Sequence, residues 1–386
     1  MRSDAGPGAV APPILTAASD LIDIGSADYR HALASTHHDV YHLPGYVTLD
    51  AREAGGTPAA YRYREGRSVL LVPLVLRPVP GADGVIDAVS PYGYPGPVAG
   101  TEPHDPGPAA LGAALPESAA PPDDGFWRRA VAQLPGVLAS EGVVSCFVRL
   151  HPLLPAPLDA LSSAGQVVEH GHTVAIDLIP DEHALWSQVR QNHRRQITKA
   201  QRQGLTTSID DWHRLDTFVE IYHETMTRVA AASYYFFDRD YFAELRSAVG
   251  DALHLVTVED AGEVLGGGLF FTHGGIAQYH LGATRDRHLK RQPAKLMMDE
   301  MRRWVKDRGL STLHLGGGVG GGTDDSLFHF KAGFGPGRAA FHTWRVVPDR
   351  AVYRRLSGLH AGDHTGDHAN QDDDGGFFPA YRRGLA

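Results

Sequence analysis

Residues 316 to 331, GGGVGGGTDDSLFHFK, gather six glycines in seven positions, two adjacent carboxylates, Asp324 and Asp325, and a lysine, Lys331. Glycine loses more conformational freedom on folding than any other residue, so a run this dense serves the backbone. It can form a nest of N–H donors for an anion, or let a bulky ligand approach the chain at Gly317 and Gly318. Asp324, Asp325 or Ser326 can cap the helix that SLFHFKAGF starts, and capping accounts for one of the two carboxylates. Lys331 is either a lysine that snorkels to the surface or a cation aimed into a cleft to stabilise developing negative charge.

Two basic groups stand out. Between His183 and Ile209 there is no acid, while Arg190, Arg194, Arg195, Lys199 and Arg202 are all present. At 100 degrees per residue, Leu185, Trp186, Val189, Ile197 and Ala200 share one helical face and the five cations the other, which is either a solvated basic face or a surface for phosphates. His193 falls on the apolar side, as a partly buried, satisfied histidine would. The second group is Arg285, Arg287, Lys290, Arg291 and Lys295.

Other residues of chemical interest are aromatic. SPYGYPGP (90–97) sets Tyr92 and Tyr94 in a stiff Pro/Gly loop that either lines a pocket or packs as a turn. ETMTRVAAASYYFF (224–237) ends a helix with Arg228, Tyr234 and Tyr235, an anion-pairing arginine and an aromatic wall. A Gly-x-Ser-x-Gly elbow and a His-Glu-x-x-His pair are both missing. The single cysteine, Cys146, lies in an apolar strand, as a buried inert thiol does, and rules out a disulfide framework.

These residues need elements to position them. The chain has 386 residues, too many for one ordinary core. Helical text at 26–36 precedes strands near 57–63, 67–76 and 84–89, a helix at 123–142 and a strand at 143–150. The second half runs from a strand at 172–178 through helices at 183–203 and 213–230, strands at 253–259, 263–271 and 276–284, a helix at 293–309 and a strand at 311–316. The repeated order predicts an α+β protein built from two copies of one unit. The helix at 293–309 is punctuated by Pro293 and Gly309, and its stripe of Leu296, Met297, Met301, Trp304 and Val305 is core.

Residues 99–125, rich in Ala, Pro and Gly, read as a flexible surface loop, and 358–376 as a disordered acidic tail. In that tail His360, His364 and His368 are flanked by glycines, against a helical metal site. The N-terminus lacks the signature of a secretory signal, and the longest apolar run, VLLVPLVL, is too short to span a bilayer. A soluble cytoplasmic protein is expected. The net charge of −9 excludes general nucleic-acid binding and confines any such role to a local patch.

The order of several segments resembles the FemX/FemAB family, aminoacyl-tRNA-dependent amide ligases within the FemAB-like branch of the GNAT superfamily. It rests on DVYHLPGYV (39–47), SPYGYPGP, VRQNHRRQITKAQRQG, ETMTRVAAASYYFF, AQYHLGAT, QPAKLMMDEMRRWVKDRGLSTLHLGGG, DDSLFHFKAGF and the terminal FFPAYRR (377–383). The resemblance implies two tandem GNAT-like subdomains, each a mixed, largely antiparallel sheet flanked by helices: 1–170, 171–350 with the catalytic cleft, and a tail 351–386 whose segment 377–383 docks back.

It further implies transfer of an amino acid from aminoacyl-tRNA to an amine of an antibiotic or peptidoglycan-precursor acceptor, with no metal or bound cofactor. Lys331 and backbone N–H groups near Tyr279 to Gly282 would stabilise the oxyanion, and Asp324, Asp325 or His280 would take the amine proton. The five cations at 190–202 would meet tRNA or a phosphorylated acceptor. The group at 285–295 lies where a CoA-dependent GNAT enzyme has its pyrophosphate loop, but HLKRQPAKLM has no glycine and Pro293 lacks an N–H donor. The long coiled-coil insertion of some cell-wall members is absent. The alternative is an N-acyltransferase that uses acyl-CoA or a carrier-protein thioester.

Overall fold

The structure is a computed structural model that describes residues 17–102, 121–154, 156–318, 325–358 and 377–383. The strands are β1 (Ala17–Ile22), β2 (Thr57–Glu65), β3 (Ser68–Pro78), β4 (Ile86–Val89), β5 (Val98–Thr101), β6 (Val143–Arg149), β7 (Gln166–Asp177), β8 (Thr206–Ile209), β9 (Leu253–Asp260), β10 (Glu263–His273), β11 (Ile276–Thr284), β12 (Thr312–Gly316) and β13 (Arg338–Val346). They join one sheet in the order β1-β2-β3-β4-β6-β13-β7-β12-β11-β10-β9-β8, with β5 on the start of β3.

Two halves of this sheet repeat one plan. In each, three antiparallel strands (β2-β3-β4 and β9-β10-β11) are followed by a helix and a strand parallel to the third, β6 beside β4 and β12 beside β11. The mixed, largely antiparallel sheet flanked by helices is the architecture expected from the sequence. The last strand was not foreseen: β13 pairs with β7 on one side and β6 on the other, and so joins the halves. Residue 170, the expected boundary, lies inside β7 next to Gly171, whose φ of +98° marks the bend between its two stretches of pairing.

The helices are α1 (Ala27–Ala34), α2 (Pro44–Glu53), α3 (Asp124–Ser140), α4 (Leu158–Ser162), α5 (Glu182–Gln188), α6 (Gln191–Arg202), α7 (Leu215–Arg228), α8 (Arg239–Val249), α9 (Pro293–Asp307), α10 (Ser326–Lys331) and α11 (Arg350–Leu356). Leu296, Met297, Met301 and Val305 of α9 and Ile197 and Ala200 of α6 bury into one core, while Phe218 and Tyr222 of α7 and Phe242 of α8 fill another. Gly267 and Gly268 of β10 allow both: a Cβ there would lie 3.2 Å from Phe218 and 2.9 Å from the Met297 sulfur. No helix among the described residues is long and apolar enough to cross a membrane.

Several boundaries differ from the sequence reading. The helix expected at 183–203 breaks at Val189, because the Arg190 N–H donates to the Gly333 carbonyl instead of continuing the helix. Of the loop expected at 99–125, the first residues belong to β5 and the last begin α3 behind the Asp123 cap; 103–120 lie outside the described residues. The expected tail starts in α11, and His360, His364 and His368 also lie outside. In segment 377–383, Tyr381 and Arg382 reach the buried Asp87 carboxylate and Phe378 stacks on Phe147. Cys146 is buried and free, its thiol pushed up by burial.

Candidate functional site

The chemistry-bearing residues meet where β11 and β12 part. The two strands pair only from Ile276/Thr312 to Gln278/His314, and β11 then runs on to Thr284 with β10 alone beside it. The gap opens next to Gly316, where β12 ends at φ +74°, a conformation that glycine adopts without strain. From α10, Lys331 reaches back so that its Nζ donates to the Gly317 carbonyl at 2.6 Å and lies 5.6 Å from the Tyr279 ring centre. Burial pushes its ammonium down to about 8, against the Asp325 carboxylate, which raises it. Lys331 is thus a buried cation in the cleft and not a snorkelling surface lysine.

Tyr94 approaches the same glycine from the other half of the molecule. A Cβ on Gly316 would lie 3.2 Å from the Tyr94 hydroxyl and 3.5 Å from Lys331 Nζ, so this glycine also leaves room for both. The Gly317 N–H points to the Tyr94 hydroxyl at 3.4 Å. Asp325 spends Oδ1 on the N–H groups of Leu327 and Phe328, the expected cap, while Oδ2 is buried without a partner. Asp324 lies outside the described residues.

A buried polar chain that sequence reasoning missed runs beneath this point. Asp39 accepts from Gln278 Nε2 at 2.6 Å and from His151 Nε2 at 3.0 Å. Burial by itself raises the Asp39 carboxyl, but the hydrogen bonds from His151, the Val40 N–H and Gln278 outweigh it and hold the group below the ordinary carboxylate range. His151 Nδ1 accepts the N–H groups of Leu153 and Leu154, so its proton sits on Nε2. Gln278, with its amide nitrogen on Asp39, turns its oxygen to His314 Nδ1 at 2.6 Å. That bond places the His314 proton on Nδ1 and leaves Nε2 a lone pair, buried without a partner. Burial holds His314 down to about 3, so it is neutral at pH 7. The missing signal is three-dimensional: Asp39 and Gln278 are 239 positions apart.

The remaining aromatic residues form a wall beside this centre. The Tyr92 ring lies 6.2 Å from Tyr235 and 6.5 Å from His280, and Tyr234 packs 5.3 Å from Tyr235. His280, pushed down to about 3 by burial, keeps an unpartnered Nε2 and rests on Phe271. The Tyr279 side chain packs on Phe270 in the α9 core. Arg228 is held by the Thr284 carbonyl and Asp286 at the end of β11. His193 is satisfied as expected, on the Phe330 carbonyl at 3.0 Å.

The structure separates the two basic groups. Before α9, Arg285 faces Glu220 and Glu224, Arg287 faces Glu263, Arg291 faces Asp260, and the Glu224 carboxylate accepts the Asp286 N–H. Lys290 is exposed, and Lys295 is buried in the first turn of α9 with its amine pushed down by burial. On α6, by contrast, Arg190, Arg195, Lys199 and Arg202 are exposed with no carboxylate partner among the described residues, and Arg194 donates to the Trp186 and Ser187 carbonyls.

Residues 187–331, a span that ends on Lys331, match the acetyltransferase (GNAT) domain family. No curated protein matches the sequence. Among solved structures, FemX is similar with a TM-score of 0.61 at 13% identity, covering 87% of this chain and 99% of that one. A conserved protein of unknown function from Bacteroides thetaiotaomicron gives 0.53 at 9% identity, covering 84% and 98%. A tandem GNAT protein from the clavulanic acid biosynthesis pathway gives 0.44 at 11% identity, covering 86% and 99%. The chain thus shares the fold of FemX, and its GNAT-domain match covers the segment that ends on Lys331.

Proposed function

We propose that this protein is an acyltransferase that moves an aminoacyl group from the 3′ end of a charged tRNA to the amine of a small acceptor. The placement of Lys331 carries this reading: a buried ammonium beside Gly317, at the opening between β11 and β12. An ester is already activated, so catalysis needs mainly positioning and a donor for the oxyanion. The neutral amine attacks the ester carbonyl, and its oxygen gains charge beside Lys331. The C–N bond forms, the C–O bond to the ribose breaks, and the amine proton ends on the ribose oxygen. His280 and His314, both held down by burial to about 3, are weak bases for that proton near pH 7.

Two observations support tRNA as the donor. The turn before α9 carries Glu224 on the Asp286 N–H and Glu263 on Arg287, carboxylates that repel a pyrophosphate. The α6 face offers Arg190, Arg195, Lys199 and Arg202 unpaired among the described residues, a charge array suited to a phosphate backbone. The test supplies tRNA charged with radiolabelled amino acids together with candidate amines, and acyl-CoA in parallel. Label is expected in an RNase-resistant amide and lost in Lys331→Ala. Transfer from acyl-CoA alone would overturn the tRNA reading.

A further inference from the structure

Next to the Lys331 turn, the seam between the halves encloses a second feature. A cavity of about 380 Å³ is lined by Tyr94, Phe147, Arg149, His170, Phe341 and the Gly317–Gly318 backbone, among others. It sits on one face of β6, β13 and β7. Alternation along the strands puts Phe147, Arg149 and Phe341 on this face, while Val148, Trp344 and Val346 go to the core behind it. The cavity therefore exists only because β13 brings the two halves together, and one wall is the glycine whose carbonyl holds Lys331.

Its charge is one-sided. Among the described residues no carboxylate lines it, whereas Arg149, His170 and His172 do. Arg149 is half-buried above the Phe147 ring, 5.2 Å from its centre, and makes no direct ion pair among the described residues; the Asp50 carboxyl, raised to about 6 by burial, senses it through space. Of the five N–H donors of a guanidinium, the one side-chain hydrogen bond among the described residues uses Nη1, on the Ser90 carbonyl at 3.2 Å. Partial burial costs a guanidinium hydration that this one bond does not replace, so the site gains from an incoming oxyanion. Tyr94, Phe147 and Phe341 supply apolar walls for the body that carries it.

We infer that this cavity is the acceptor subsite and that it selects an amine bearing an oxyanion, carboxylate or phosphate, seated on Arg149 with the amine toward Gly317 and Lys331. The inference rests on the reading that Lys331 marks the transfer centre. The volume is near the lower end of small-ligand sites, about 300–1,000 Å³, and so suits a group of amino-acid or monosaccharide size. The positive lining also favours the neutral form of the amine, the form that attacks.

Calorimetric titration of the full chain tests this without turnover. The probes are L-amino acids, the same compounds as α-amides, and phosphoethanolamine beside ethanolamine, each to about 10 mM, ten times the dissociation constant of a millimolar site. Acids or the phosphate ester are expected to bind about tenfold or more tightly than their neutral counterparts, and whichever pair discriminates names the anion. Arg149→Met should abolish the discrimination and Arg149→Lys should keep part of it, each with a wild-type thermal transition. Equal binding of charged and neutral probes, unchanged discrimination in Arg149→Met, or no binding of any anionic probe would overturn the assignment. The Lys331→Ala transfer assay reads the acyltransferase proposal separately.

Discussion

On the proposed mechanism Lys331 meets two opposed demands: it must be charged to stabilise an oxyanion, yet burial lowers its ammonium from the ordinary 10.5 to about 8. Transfer by the wild type is therefore expected to fall as pH rises through about 8, and Lys331→Arg, which stays charged, should move that descending limb upward in a pH–rate profile. Between about 8 and 10.5 the unfolded chain binds a proton that the folded chain does not, so this group makes stability rise with pH across that window. Lys331→Ala should lower kcat by about a hundredfold to a thousandfold, the usual effect of losing one oxyanion donor. Gly316→Ala forces a side chain into φ +74° between Tyr94 and Lys331. Strain of about 1–2 kcal/mol is expected in denaturant unfolding, with a loss of transfer larger than the loss of stability explains.

At the scale of elements, the chain from Asp39 through Gln278 to His314 ties the segment before α2 to β11 and β12. Asp39→Ala removes the acceptor from three buried donors, His151, Gln278 and the Val40 N–H, and a destabilisation of about 3 kcal/mol is expected by urea titration. Gln278→Glu, which replaces the amide donor by a second carboxylate beside Asp39, should cost at least as much. Helix α6 behaves differently because its cations are exposed. Arg195→Ala and Lys199→Ala should leave the melting temperature unchanged while weakening tRNA binding. The plot of log K against log salt should flatten by about 0.7–0.9 per phosphate contact removed.

At the scale of the molecule, β13 makes one sheet of two repeats, and Trp344 on that strand is fully buried with its indole N–H on the Leu161 carbonyl. The repeats should therefore unfold together, as one calorimetric transition. Trp344→Ala should lower that transition by about 3–5 kcal/mol without splitting it, whereas independent lobes would give two transitions. The docked segment 377–383 contributes through Asp87, a buried carboxylate shared by Arg382, Tyr381 and Arg77. Removal of residues 377–386 should lower the same transition, and hydrogen exchange should rise first in β4 and β6.

Much of this was legible in the sequence by itself. Period-two and period-3.6 patterns determined most strands and helices, because each element must turn its apolar side to a core. Glycine density and the acid-free run at 184–208 determined where to look for chemistry, and the structure buries Lys331 beside Gly317 and leaves Arg190, Arg195, Lys199 and Arg202 exposed. The tertiary structure alone decided which partners those residues have. Arg285, Arg287 and Arg291 form ion pairs with carboxylates, Arg149 forms none among the described residues, and Asp39, Gln278 and His314 form one chain; each outcome depends on side chains brought together from distant positions. Local pattern reports which face of an element is apolar, but hydrogen bonding and ion pairing act within a few ångströms, and only the fold sets those distances.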